Sequence, residues 1–140
     1  MAILIKQSGS ANEKNVEELI ADIREWDKKL QTCSEEITFL SQFISADIFQ
    51  EDLPNLYENL FTYSSSLTAL KTEKIELHQA ISNHKNDING MMECEDISCE
   101  SFYYTEHKKL ENRLFIFLSN FNKFQTALFL FCTNKLRKHD

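Results

Sequence analysis

The sequence predicts an all-α protein: an elongated antiparallel three-helix bundle in up-down-up order, with coiled-coil-like heptad packing. Three stretches carry apolar residues at alternating spacings of three and four, which places each set on one stripe of a helix. The chain has only 2 glycines and 1 proline among 140 residues, so it forms few turns. Short connections between long helices make neighbouring helices antiparallel.

The first stripe predicts a helix over residues 12–45, preceded by a flexible tail over residues 1–11. Ser10 and Glu13 fit a capping box, in which each side chain bonds a free backbone N–H of the first turn. We expect Trp26, the only tryptophan, to anchor the core. The stripe comprises Val16, Leu19, Ile23, Trp26, Leu30, Cys33, Ile37, Leu40 and Ile44.

The second stripe predicts a helix over residues 53–89. Asp52 is the expected N-cap, and Pro54 then falls in the first turn, where a missing N–H costs little. Gly90 is the expected C′ residue, closing the helix in the left-handed conformation. The stripe comprises Leu53, Leu56, Leu60, Tyr63, Leu67, Leu70, Lys74, Leu77, Ile81, His84 and Ile88.

The third stripe predicts a helix over residues 99–137, capped by Ser98 or Ser101, so that the bundle spans residues 12–138. No lysine or arginine lies between Lys29 and Lys71, whereas the C-terminus is basic. Up-down-up order predicts that the basic end meets the acidic first connection. The stripe comprises Tyr103, His107, Leu110, Leu114, Phe117, Phe121, Phe124, Leu128, Phe131 and Lys135.

Lys74 interrupts the second stripe and has two interpretations. It is either a buried cation with a lowered pKa, poised for catalysis, or a lysine that extends to solvent beside Asp22 or Asp27 of the first helix. We favour the second interpretation, because extended lysines at a helix seam are far more common than catalytic ones.

Composition excludes several classes of function. The formal net charge of −7 disfavours nucleic-acid binding. The most apolar stretch, residues 110–132, contains charged residues, so we expect no membrane span. No signal peptide is recognisable, which predicts reduced thiols and a cytoplasmic location. Nucleotide-binding, zinc-protease and hydrolase motifs are missing from the sequence, so it predicts no enzyme and no cofactor.

His84 and His107 lie on facing stripes near the end where the second helix meets the third. Cys94 and Cys99 lie between them in sequence. Imidazoles and thiolates are zinc ligands, so these residues form a candidate metal site. The alternative is that the histidines make ordinary hydrogen bonds near a bundle end.

The third helix is more apolar than one stripe requires. It carries seven of the 11 phenylalanines, and Phe115, Leu118 and Phe129 fall off its main stripe. Either the helix is wedged deeply between its neighbours or it presents a second apolar face. The sequence therefore predicts a non-enzymatic interaction or scaffold protein that uses this surplus to bind a protein partner or itself. The alternative is a helical bundle that binds a metal or small ligand through the histidines and cysteines.

Overall fold

The protein is described by a computed structural model over residues 15–138. Three helices follow in order: α1 (Val16–Ser45), α2 (Leu56–Met91) and α3 (Ile97–Cys132). They pack against one another as an all-α three-helix bundle, and the described residues include no strand. The predicted fold class is confirmed.

Each helix contributes to two compact units. The first unit comprises residues 15–29 with Leu77–Leu114, and the second comprises Leu30–Glu76 with residues 115–138. The three stripes fill both cores, because every stripe residue within the helices is buried or partly buried. The largest fully buried side chains are Leu19, Ile23, Leu77, Ile81 and Ile88 in the first unit and Leu30, Leu40, Phe117 and Leu128 in the second.

The helix α1 begins at Val16, four residues after the predicted start, and Asn15 is its N-cap. Its side-chain Oδ1 accepts the Glu18 backbone N–H at 2.8 Å, and Glu18 Oε1 accepts the Asn15 N–H at 2.9 Å. This is a reciprocal capping box, with asparagine in the role that serine usually has. The box predicted from Ser10 and Glu13 lies outside the described residues.

Both predicted ends of α2 are wrong. Residues 53–55 form a turn, and Asn55 has a φ of 59°, a left-handed conformation that asparagine tolerates. The turn replaces Asp52 as the cap and leaves Pro54 outside the helix. Gly90 does not end α2 but lies within it, without a positive φ. A Cβ added there would lie 2.9 Å from the Tyr103 hydroxyl oxygen, so a larger residue would require that side chain to shift.

The cap and the end of α3 also differ from the prediction. Asp96, not a serine, caps the helix, since its Oδ1 accepts the Cys99 N–H at 2.8 Å. The helix ends at Cys132, five residues early, because the chain turns and pairs with the first connection. Gln50 donates its N–H to the Lys135 carbonyl at 2.8 Å, and Phe49 forms an antiparallel bridge with Leu136.

The predicted contact between the basic C-terminal end and the acidic first connection is confirmed in the second unit. Arg137 Nη2 lies 2.6 Å from Asp47 Oδ1, so the basic C-terminus meets the acidic connection. Both side chains are exposed, so this ion pair contributes at most about 1 kcal/mol. The ammonium of Lys74 donates to Ser34 Oγ of α1 at 2.5 Å in a partly buried position, so the lysine faces α1 as the second interpretation predicts.

Candidate functional site

The first unit brings the two seam histidines into direct contact. His84 Nε2 and His107 Nδ1 are 2.9 Å apart, and both side chains are buried, with exposed fractions of 5% and 6%. His84 lies on the stripe of α2 and His107 on the stripe of α3, at the matching heights that the antiparallel arrangement predicts. The stripe periodicity is therefore sufficient to place this pair.

The pair is extended by an acid from α1. His107 Nε2 lies 2.9 Å from Asp22 Oδ2, and the indole ring of Trp26 packs on the same imidazole at a centroid distance of 4.5 Å. Trp26 is 5% exposed, which confirms it as a core anchor. All three helices thus contribute to one chain of polar contacts, Asp22–His107–His84, which we call the imidazole relay.

The acid fixes the direction of one hydrogen bond in the relay. A carboxylate only accepts, so His107 Nε2–H donates to Asp22, whereas His107 Nδ1 and His84 Nε2 share a single proton in the contact between the two rings. Burial lowers the pKa of His84, and the neighbouring His107 lowers it further, while Asp87 and Glu106 act in the opposite direction. His84 Nδ1 makes no hydrogen bond within the described residues.

A cavity of about 440 Å³ lies between α2 and α3, with His84 in its wall. The residues at its rim carry charges of both signs, from Asp87, Glu106, Lys109 and Arg113. The phenol ring of Tyr103 and the side chain of Leu110 complete much of the remaining wall. A volume of this size accommodates a small organic molecule.

The predicted metal site is not assembled as proposed. Cys94 and Cys99 are joined to each other in a disulfide, with their Cα atoms 5.5 Å apart. His84 and His107 direct nitrogens at each other, and no group of three or more potential metal ligands forms among residues 15–138. The cysteines therefore offer no thiolate, because each sulfur is bonded to the other.

The expectation that all thiols are reduced is corrected by the same disulfide. Cys33 and Cys132 are free and buried, as their positions on the stripes predict. Burial raises the pKa of the Cys33 thiol to about 11, and it also raises the pKa of the Cys132 thiol. The cytoplasmic location rested on reduced thiols and stays a prediction.

The second unit exposes large apolar side chains on α3. Phe115 is 73% exposed and Phe129 is 50% exposed, whereas Leu118 is only partly exposed. Ile116 and Leu130, which the sequence analysis did not single out, are also largely exposed. We call the set Phe115, Ile116, Phe129 and Leu130 the α3 face.

In the described part of the chain, one helix, α3, is long and apolar enough to cross a membrane by length and composition. Only 22% of its most apolar stretch of 18 residues is buried. Core helices of soluble bundles pass the same test, and the expected absence of a membrane span stays a prediction.

Sequence reasoning missed Asp22 as a member of the relay, although it named Asp22 as a possible partner of Lys74. The available signal was its position next to Ile23, at the edge of the α1 stripe. It also missed three charged residues that line the cavity. Asp87 lies three residues after His84, Glu106 directly precedes His107, and Arg113 lies six residues after it.

The fold and the sites define a class: a three-helix bundle with a buried imidazole relay beside a charged cavity in one unit, and an exposed apolar helix face in the other. Comparison of the chain with protein-family models, with curated proteins and with solved structures finds no match.

Proposed function

We propose that the protein is a non-enzymatic interaction protein that associates with a second copy of itself through the α3 face. The observation that carries the proposal is the exposure of four large apolar side chains on one helix, between 50% and 73% each. Removing such side chains from water on association contributes roughly 25 cal/mol per Å² of apolar surface.

The order of residues along α3 supports a second copy as the partner. Phe115 and Ile116 lie at one end of the face, and Phe129 and Leu130 lie at the same distance on the other side of the Asn122–Lys123 midpoint. An antiparallel two-fold pair centred there places Phe115 level with Leu130 of the second copy. Four apolar side chains then meet at each end of the contact, as an isologous interface requires.

The middle of the face is compatible with such a pair. Ser119 and Thr126 lie on the outward side of α3 between the two apolar ends, and both are small. Small residues allow two helices to approach closely. Lys123 is the only charged residue between Phe115 and Cys132, and it lies next to the two-fold axis, so the lysines of the two copies have to extend to solvent away from each other.

The size of the α3 face determines how strongly two copies are expected to associate. Residues 115–130 span about 24 Å of helix, and a helix is about 10 Å wide. The buried area is then below the roughly 800 Å² per partner of a standard interface, which is typical of a weak or transient dimer. We therefore expect a monomer–dimer equilibrium in the micromolar range or weaker.

Sedimentation velocity over a concentration series tests the proposal. The wild type should show a sedimentation coefficient that rises with concentration, and Phe129→Glu should remain monomeric. Phe61→Glu on α2 is the matched control, because Phe61 is 72% exposed and lies outside the α3 face. A monomeric wild type, or unchanged association in Phe129→Glu, contradicts the proposal; loss in both variants points to a different surface.

A further inference from the structure

The charges around the cavity are separated along its length. α2 and α3 are antiparallel here, since His84 contacts His107 and Gly90 lies against Tyr103. Asp87 and Glu106 therefore lie toward the Gly90 end, whereas Arg113 lies toward the other end. Seven residues separate Glu106 from Arg113, which is about 10 Å along a helix.

The wall at the acidic end offers two carboxylates. Asp87 and Glu106 line the cavity there, together with the ring of His84. Carboxylate oxygens match an ammonium group, which has three donors and a positive charge. Phe102 and Tyr103 add aromatic surface, which also attracts cations.

The opposite end of the cavity is basic, and its middle is apolar. Arg113 presents a guanidinium suited to a carboxylate, with Lys109 one turn before it. Ala80 and Leu110 provide an apolar stretch between the two charged ends. Lys109 is paired with Glu106 at 3.2 Å, but both side chains are substantially exposed, so the pair can open at little cost.

The geometry points to this cavity as a binding site for a small dipolar molecule that carries an ammonium group and a carboxylate at the two ends of a short apolar chain. The ammonium lies against Asp87 and Glu106, close enough to the His84 ring to shift its resonances, and the carboxylate lies against Arg113. This proposal goes beyond self-association, and it rests on residues of the first unit, whereas the α3 face belongs to the second.

The test uses 6-aminohexanoate as the probe, with the full-length protein carrying isotope-labelled histidine. Titration should shift the ring resonances of His84 in a saturable way at millimolar concentrations. Hexanoate and hexylamine, which each lack one charge, should bind more weakly. Glu106→Gln and Arg113→Gln should each weaken binding about fivefold, the effect of losing one partly exposed ion pair.

Lys108→Gln is the matched control, because Lys108 lies on α3 outside this cavity and pairs with Glu111 at 3.0 Å. It should leave the affinity unchanged. Three results overturn the proposal: no shift of the His84 resonances up to tens of millimolar probe, equal binding of the singly charged analogues, or equal losses in Lys108→Gln and Arg113→Gln. Because Glu106 and Arg113 lie at the surface, folded variants are expected, and circular dichroism verifies this.

Discussion

His84 Nε2 and His107 Nδ1 lie 2.9 Å apart in a buried contact, so only one of the two nitrogens can carry a proton along this hydrogen bond. The contact requires at least one neutral imidazole, and Asp22 orients the other ring. Of the two alternatives for the histidines, a metal site and ordinary hydrogen bonds, the contacts match the second.

The stability of the fold should fall on acidification because of His84. Its folded pKa lies below its unfolded value, so between the two the unfolded state binds more protons and unfolding is favoured as the pH falls. This contribution is present above about pH 6.5 and is lost progressively as the pH falls below it, with a slope of at most about 1.4 kcal/mol per pH unit. Urea unfolding at pH 5.5 and pH 7.5 measures it.

His84→Gln should remove this part of the pH dependence, and His78→Gln, at an exposed position on the same helix, should leave it intact. If His84→Gln loses as much stability at pH 5.5 as the wild type does, the pH dependence of stability arises from other groups.

Asp22→Asn should destabilise the relay. The amide keeps the shape of the carboxylate but loses its charge, which weakens the hydrogen bond from His107 Nε2–H. We expect a loss of about 1 to 2 kcal/mol in the free energy of unfolding. Trp26 fluorescence reports the transition, because its ring packs on His107. Glu25→Gln, an exposed neighbour on α1, should change stability little, and an equal effect in both variants would contradict the assignment.

Gly90 and Tyr103 should be energetically coupled. Alanine is favoured over glycine within a helix by about 1 kcal/mol, but at Gly90 its Cβ would lie 2.9 Å from the Tyr103 hydroxyl oxygen. Gly90→Ala should therefore stabilise the Tyr103→Phe variant by more than it stabilises the wild type. A double-mutant cycle by urea unfolding measures the difference. Equal effects in the two backgrounds would show that the tyrosine moves away freely.

The Cys94–Cys99 disulfide predicts the number of reactive thiols. Unfolded, unreduced protein should titrate two thiols, Cys33 and Cys132, and the native protein should react slowly because both are buried. Reduction of the Cys94–Cys99 disulfide should lower the free energy of unfolding by about 2 kcal/mol. The effect is modest because the loop that the disulfide closes is short. Four reactive thiols in unreduced unfolded protein would show that the disulfide is not formed.

The sequence was sufficient for the architecture and for the histidine pair, since heptad spacing fixes which side chains face one another. It was insufficient at the helix ends. Asn15, Asp96 and Gly90 each depend on local geometry: two caps were made by residues other than serine, and the glycine lies against Tyr103 within the helix rather than in a turn. The disulfide also depends on a loop conformation that the spacing of Cys94 and Cys99 does not determine.

The sequence shows that α3 has more apolar residues than one stripe requires, but it does not show which of them are exposed. Leu118 was expected to share the outward face with Phe115 and Phe129, yet it is partly covered. Ile116 and Leu130 are exposed instead, and only their exposure reveals the mirrored order around the Asn122–Lys123 midpoint.

Cross-linking between engineered cysteines tests the proposed self-association most directly. Ser119 and Thr126 are equidistant from the midpoint, so an antiparallel pair places Ser119→Cys of one copy level with Thr126→Cys of the other. Under mild oxidation, a mixture of the two single variants should form the mixed disulfide dimer faster than either variant alone forms its own, and Phe129→Glu in both should abolish it. Absence of the mixed dimer, or preferred Ser119→Cys homodimers, would contradict the antiparallel α3 interface.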